Sequence, residues 1–214
     1  MIGIETGILD KIKEETLLKE MQHRMKNNLQ LILSLINIQL LKNIDETNKD
    51  FLHSLKQRVD SLSQINNLLD YSFNESSINL GELINCISEN VMSAYKKRND
   101  IILMKYIENI EVEHQFAIPL GLIVNELLTN SYKYAFPVNG KFKGKNYCKI
   151  EVILRKINDK YELIISDNGI SINNNTDSKR KNSSGVKLVQ TFISQIDGEY
   201  QLDVTDGTSY KITF

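Results

Sequence analysis

The densest polar cluster in the chain is Glu20-Met21-Gln22-His23-Arg24-Met25-Lys26-Asn27-Asn28-Leu29-Gln30. On a helix, positions 20, 23, 24, 27 and 30 share one face, because residues three and four apart are neighbours there. A neutral imidazole nitrogen is a competent nucleophile near pH 7, since its pKa lies close to that value. Glu20, one turn before His23, is placed to orient or deprotonate the ring, and Arg24 and Lys26 can hold a phosphate nearby. A lone histidine on a helix equally suits a solvated surface, so the company it keeps carries this reading.

A second cluster, Asn125-Glu126-Leu127-Leu128-Thr129-Asn130-Ser131-Tyr132-Lys133-Tyr134-Ala135, sets Glu126, Asn130, Lys133 and Tyr134 along one side of a helix. Leu122, Ile123, Leu127 and Leu128 are left for the core. An amide oxygen is a hard ligand suited to magnesium, and a lysine one turn on can meet phosphate charge. A capped, solvated helix face fits the same residues. Asp167-Asn168-Gly169 ends a hydrophobic strand, where a buried carboxylate can accept a hydrogen bond from an exocyclic amine and the glycine lets a ring approach. The same triplet also makes an ordinary turn. Ser183-Ser184-Gly185-Val186-Lys187 puts small residues at a helix N-terminus, where free N–H groups and the helix dipole favour an anion. Gly207-Thr208 fits a hairpin turn.

These clusters need elements to carry them. The first 70 residues contain no Pro and no Gly after Gly7, and their apolar residues recur at three and four. Leu17, Leu18, Met21, Met25, Leu29, Ile32, Leu33 and Ile36 mark one amphipathic helix. Phe51, Leu52, Leu55, Val59, Leu62, Ile65 and Leu69 mark a second, and the polar stretch 42–49 between them reads as a turn. Such a hairpin cannot bury both apolar stripes in itself. A second copy completing a four-helix bundle is favoured over packing on the rest of the chain.

After Tyr71 the texture changes, with a polar break over 72–77. Asn79-x-x-Glu82 predicts a capped helix over 80–97, and a second helix spans 114–135 with Pro119 near its start. Strands are expected at 101–107, 147–156, 161–166, 199–204 and 209–214, with a short helix over 185–196. The Asn-, Ser- and Lys-rich stretch 170–184 reads as a loop. The fold class is α+β: a helical hairpin over 1–76, then an α/β sandwich of helices on a mixed sheet over 77–214.

Composition excludes several classes. Lys+Arg (26) and Asp+Glu (27) nearly cancel across 214 residues, which leaves no basic excess for nucleic-acid binding. Cys86 and Cys148 form neither a metal cluster nor a disulfide framework, which suits a reducing cytoplasm. The most apolar run, 29–41, is interrupted by Gln30, Ser34, Asn37 and Gln39, and no membrane insertion is expected.

Taken in order, the clusters resemble a known family. His23-Arg24-Met25-Lys26-Asn27-Asn28-Leu29-Gln30 resembles the H-R-x-K-N-N-L-Q phosphoacceptor signature of one subfamily of two-component sensor histidine kinases. The C-terminal part resembles the Bergerat-type (GHKL) ATP-binding domain. The resemblance implies that His23 is phosphorylated from ATP and that Asn130 binds Mg²⁺, with Glu126 near the metal or its water. It implies that Lys133 and Tyr134 meet the phosphates, that Asp167 reads the adenine amino group and that Gly169 lies beneath the ring. Residues 170–184 become an ATP lid, Gly185 starts the phosphate-side helix and Thr208 supports Asp167.

The implied partners are a second copy through the hairpin, a response regulator receiver domain, and an upstream sensor domain or protein, because little chain precedes Leu17. Three features depart from or refine the pattern. Ser171 stands where the D-x-G-x-G box has its second glycine. Arg24 follows the phosphoacceptor where many kinases carry an acid, which leaves Glu20 as the candidate base on spacing alone. The chain has no Trp, so it lacks the W-x-E signature of a sister subfamily. Two rivals compete with the kinase: a histidine phosphorelay protein with a degenerate ATP domain, and a chaperone- or topoisomerase-type ATPase of the same fold.

Overall fold

The structure, a computed structural model, describes residues 26, 29, 32, 33, 36, 46–70, 77–98, 100–136, 147–170 and 184–214. His23, Glu20, Arg24, Ser171 and Ser183 lie outside the described residues. The chain divides into two compact units, Met1–Tyr71 and Ser72–Phe214.

In the first unit, Lys26, Leu29, Ile32, Leu33 and Ile36 are all helical. Leu29 and Ile36, two turns apart, are buried, while Ile32 is exposed. Helix α1 (Glu46–Asp70) starts within the stretch expected to be a turn. The polar composition of 42–49 suggested a break, but the stretch contains neither Gly nor Pro, and Glu and Lys are good helix formers. Ile65 and Asn66 are buried on this helix.

The second unit opens on a two-residue strand, β1 (Ile78–Asn79), and helix α2 (Leu80–Ala94). The expected cap is present: Asn79 Oδ1 accepts from the Glu82 N–H at 3.1 Å. The helix stops before the expected residue 97, as Tyr95 leaves helical geometry with its N–H shared between the Val91 and Met92 carbonyls. Strands β2 (Ile101–Ile107) and β3 (Glu111–Val112) follow, and β3 pairs antiparallel with β1 in a small ribbon. Helix α3 (His114–Asn130) carries Pro119 in its second turn. The helix does not run on in α geometry to residue 135 as expected; Ser131–Ala135 forms a π turn. Strands β4 (Cys148–Ile157) and β5 (Lys160–Asp167), helix α4 (Ser184–Gln195) and strands β6 (Glu199–Asp203) and β7 (Thr208–Thr213) complete the unit.

The main sheet has five strands in the order β2-β4-β5-β7-β6. It is mixed, because β2 runs parallel to β4 and the other neighbours are antiparallel. The β4–β5 hairpin turns through Asn158, whose φ of 55° suits an asparagine at a tight turn. Strand alternation sends Ile150, Val152 and Leu154 of β4, Leu163 and Ile165 of β5, and Tyr210 and Ile212 of β7 to one buried face. Helices α2, α3 and α4 supply the matching apolar layer through Leu80, Ile84, Leu120, Ile123, Val124, Leu128, Val189 and Ile193. Each such side chain contributes roughly 1.5–3 kcal/mol by leaving water.

The opposite face carries charge, and one member of it is buried. Glu162 is only 3% exposed and lies across the ladder from Arg155. Its Oε1 accepts from Arg155 Nε at 2.8 Å, and its Oε2 pairs with Lys211 Nζ. Burial pushes the Glu162 carboxyl pKa up, but hydrogen bonds from Lys211 and Arg155 prevail and hold it below the usual range. The stabilisation is therefore fully present above the unfolded carboxyl pKa of about 4.3 and is lost as pH falls through the lower folded value. Glu162→Gln is expected to cost roughly 1–3 kcal/mol at neutral pH. In urea melts run as a pH series, the gap between variant and wild type should narrow steadily below about pH 4; a constant gap would remove the ion pairs as its cause.

Candidate functional site

The site forms where α3 ends and β5 ends. Along α3, Leu120, Ile123, Val124, Leu127 and Leu128 are buried at helical spacing, which fixes the rotation of the helix. Glu126 falls among them and is only 8% exposed, while Asn130, one turn later, is half-buried. At Ser131 the winding changes. A π turn takes more residues per turn than an α-helix and is found frequently at functional sites. It buries Ser131, Tyr132 and Ala135 and leaves Lys133 and Tyr134 exposed.

Asp167 is the last residue of β5 and continues the buried row of Leu163 and Ile165, so alternation alone sends its carboxylate inward. It is 7% exposed there. Its Oδ2 accepts from the Ser131 hydroxyl at 2.8 Å, and its Oδ1 accepts from the Gly169 N–H at 3.0 Å. These bonds fix the plane of the carboxylate. An ionised carboxylate has acceptor oxygens only, so the chemistry of the group is that of a hydrogen-bond acceptor.

Three neighbours complete the junction. Thr208 lies directly across the ladder from Asp167. Gly207, which had suggested only a hairpin turn, has a φ of +106°, and a Cβ there would stand 1.9 Å from the Asp167 carbonyl oxygen. Gly169 has a structural reason for being glycine in addition to the ring contact expected of it. A Cβ there would fall 2.4 Å from the Ala135 carbonyl oxygen, which also accepts from the Ile170 N–H at 2.8 Å. The end of β5 is thus bolted to both ends of the π turn. Asn168 acts in the sheet: its Oδ1 accepts from the Lys149 N–H at 2.7 Å and its Nδ2 donates to the Tyr147 carbonyl at 2.9 Å.

The structure therefore brings Asn130, Asp167, Gly169 and Thr208 to one corner, with Lys133 and Tyr134 exposed on the adjoining turn. Gly185 is buried in the first turn of α4, which packs on α3. Sequence reasoning passed over Ser131, although it stood inside the quoted cluster; a hydroxyl directly after the helical asparagine was the available signal. Ala135 gave no signal, since its role is to be approached by Gly169. Among the described residues no group of three His, Cys, Asp or Glu could hold a metal by itself, so a cation here would rely on an amide oxygen such as that of Asn130 together with ligand oxygens. No helix among the described residues is long and apolar enough to cross a membrane.

A mixed sheet with its helices on one face, a buried aspartate at a strand end and an asparagine-tipped helix beside it define an α/β sandwich. The histidine kinase domain of the Erythrobacter litoralis blue-light-activated histidine kinase shares the fold, with a TM-score of 0.66 and 22% identity over 94% of this chain and 91% of that one. Residues 20–95 match the model of the HisKA_2 family, described as histidine kinase. The sensor histidine kinase PdtaS of Mycobacterium tuberculosis is 24% identical over 189 residues, 87% of this chain and 36% of that protein. Blue-light-activated histidine kinase 2 of Erythrobacter litoralis is 26% identical over 194 residues, 89% of this chain and 53% of that protein. The chain is similar to histidine kinases, and it spans between about a third and about half of the length of these curated relatives.

The two glycines give the first check on the corner. Gly207→Ala combines a left-handed φ with a carbonyl clash and is expected to destabilise by more than the roughly 1–3 kcal/mol of ordinary overpacking. Gly169→Ala should cost roughly that range. Thermal unfolding by circular dichroism would read both, and a Gly207→Ala midpoint equal to wild type would contradict the geometry of the corner.

Proposed function

We propose that this chain is the core of a sensor histidine kinase that transfers the γ-phosphoryl group of ATP to His23 and then to an aspartate of a response regulator. The observation that carries the reading is the Asp167 corner. A buried, oriented carboxylate sits beside an asparagine-tipped helix, in a chain whose residues 20–95 match a histidine kinase family and contain His23-Arg24-Met25-Lys26-Asn27-Asn28-Leu29-Gln30.

In this mechanism Asp167 accepts from the adenine amino group, with Thr208 behind it and Gly169 beside the base. Asn130 would hold Mg²⁺ through its amide oxygen, with Glu126 one turn earlier oriented toward the metal or its water. When bound, Mg²⁺ supplies neutralisation of phosphate charge. Lys133 and Tyr134, both exposed, add a cation and a hydroxyl for the phosphates, and Gly185 opens the first turn of α4 toward them. The His23 imidazole attacks the γ-phosphorus in line: an N–P bond forms, the bond to the bridging oxygen breaks and ADP leaves. Glu20, one helical turn from His23, is the candidate acceptor for the imidazole proton. Phosphoryl transfer asks mainly for positioning and charge stabilisation.

The same reading gives the first unit, with its hairpin, the roles of phosphoacceptor, dimer contact and receiver-domain dock. The second unit is the ATP-binding domain, a sensor domain or a separate sensor protein supplies the signal, and the chain works in the cytoplasm. The rival is a phosphorelay protein whose nucleotide site is weakened by Ser171.

Incubation of the full chain with Mg²⁺ and radiolabelled ATP should give an acid-labile, base-stable label. His23→Gln should abolish it, and Asn130→Ala should lower it by at least about a hundredfold, as expected on losing a group that stabilises transition-state charge. Unlabelled wild type that nonetheless accepts phosphoryl from a phosphorylated regulator would establish the relay instead.

A further inference from the structure

Helix α2 leaves behind two side chains that reach the π turn, and neither belongs to a cluster singled out in the sequence. The Tyr95 ring stacks on that of Tyr132 with centroids 5.2 Å apart and planes 9° from parallel. The Arg98 guanidinium donates from Nη1 to the Tyr132 carbonyl at 3.4 Å. Arg98 is itself held: its Nε and Nη2 each donate at 3.0 Å to the two oxygens of Asp100, and its side chain is only 15% exposed.

The Tyr132 carbonyl needs such a partner for a covalent reason. In the π register the N–H that would reach it comes five residues on, from position 137, and Pro137 has no N–H. A helix ends with carbonyls that lack intrahelical partners, and a cation at that end also complements the helix dipole. Arg98 supplies both the donor and the charge from a different element. The bidentate hold of Asp100 fixes the fork, so that ordering costs less when the carbonyl is met.

We propose that Arg98, clamped by Asp100, is a positioning residue for the nucleotide site: it caps the turn carrying Ser131, Lys133 and Tyr134 and so sets the pose of Asn130 and Asp167 toward ATP. The turn is then gripped from two sides, by Asp167 and Gly169 at the end of β5 and by Tyr95 and Arg98 at the exit of α2. This inference rests on the assignment of the Asp167 corner as the ATP site.

The test is calorimetric titration of the full chain with Mg-ATP, in wild type, Arg98→Ala, Arg98→Lys, Asp100→Asn and the Arg98→Ala/Asp100→Asn double variant. Thermal midpoints and hydrogen exchange of the 131–136 amides are measured alongside. Arg98→Ala is expected to weaken Mg-ATP about tenfold, in line with loss of a charge-assisted hydrogen bond, and to speed exchange of those amides. Arg98→Lys should recover part of the affinity, because the charge returns without the fork. The double variant should be no worse than Arg98→Ala alone, since Asp100 acts through Arg98. A lowered thermal midpoint with unchanged Mg-ATP affinity, measured where the variant remains folded, would make Arg98 merely structural and overturn the proposal. Should Arg98→Ala not fold, Asp100→Asn with wild-type affinity and wild-type exchange would overturn it equally. Wild type that binds no Mg-ATP would sink the nucleotide-site reading instead, while faster exchange in Arg98→Ala would still establish the brace.

Discussion

The second unit depends on one buried carboxylate. Asp167 is sent inward by strand alternation, and a carboxylate out of water is costly unless hydrogen-bonded. The chain meets that cost with the Ser131 hydroxyl and the Gly169 N–H. Because these donors come from different segments, satisfying the charge also fixes where the end of α3 lies against the end of β5. Gly169 and Gly207 are the steric side of the same constraint: the backbone passes so close to Ala135 and to Asp167 that no Cβ fits.

The two faces of the sheet are treated by different physics. On the helix-covered face, apolar rows from β4, β5 and β7 are removed from water, and Asp167 terminates the β5 row. On the other face, Glu162 is buried beneath Arg155 and Lys211, both roughly half exposed. One inward acid accepts from a hydroxyl and a backbone N–H and ties α3 to β5. The other is neutralised by two cations and serves the sheet. Burial is similar for the two; the partners decide the role.

The division of the chain also fits phosphoryl chemistry. In the proposed reading His23 and the Asp167 corner belong to separate units, so each can be shaped by its own packing, a sheet edge and a helix end in the case of the corner. The π turn after Asn130 is the pivot of the Asp167 corner, where one change in winding turns Ser131 inward while Lys133 and Tyr134 remain exposed.

The elements and much of the site were legible from residue types and spacing. The strands at 148–157 and 160–167, the Asn79 cap and the pairing of Thr208 with Asp167 follow from period-two alternation, an Asn-x-x-Glu signal and a family pattern, all of them local. Three things were not legible. The α1 start at Glu46 lay hidden in a polar stretch, because polarity marks solvent exposure rather than a loop. The π turn was read as plain helix, because its register depends on Ser131 being drawn to a residue 36 positions away. The braces from Tyr95 and Arg98 were invisible for the same reason. Sequence by itself determined which residues can be helical, stranded, nucleophilic or metal-binding, since those are properties of side chains and their neighbours along the chain. Tertiary structure alone decided which side chain meets the Tyr132 carbonyl, which glycine is crowded and which acid is paired, because these depend on distances between segments that no local pattern encodes.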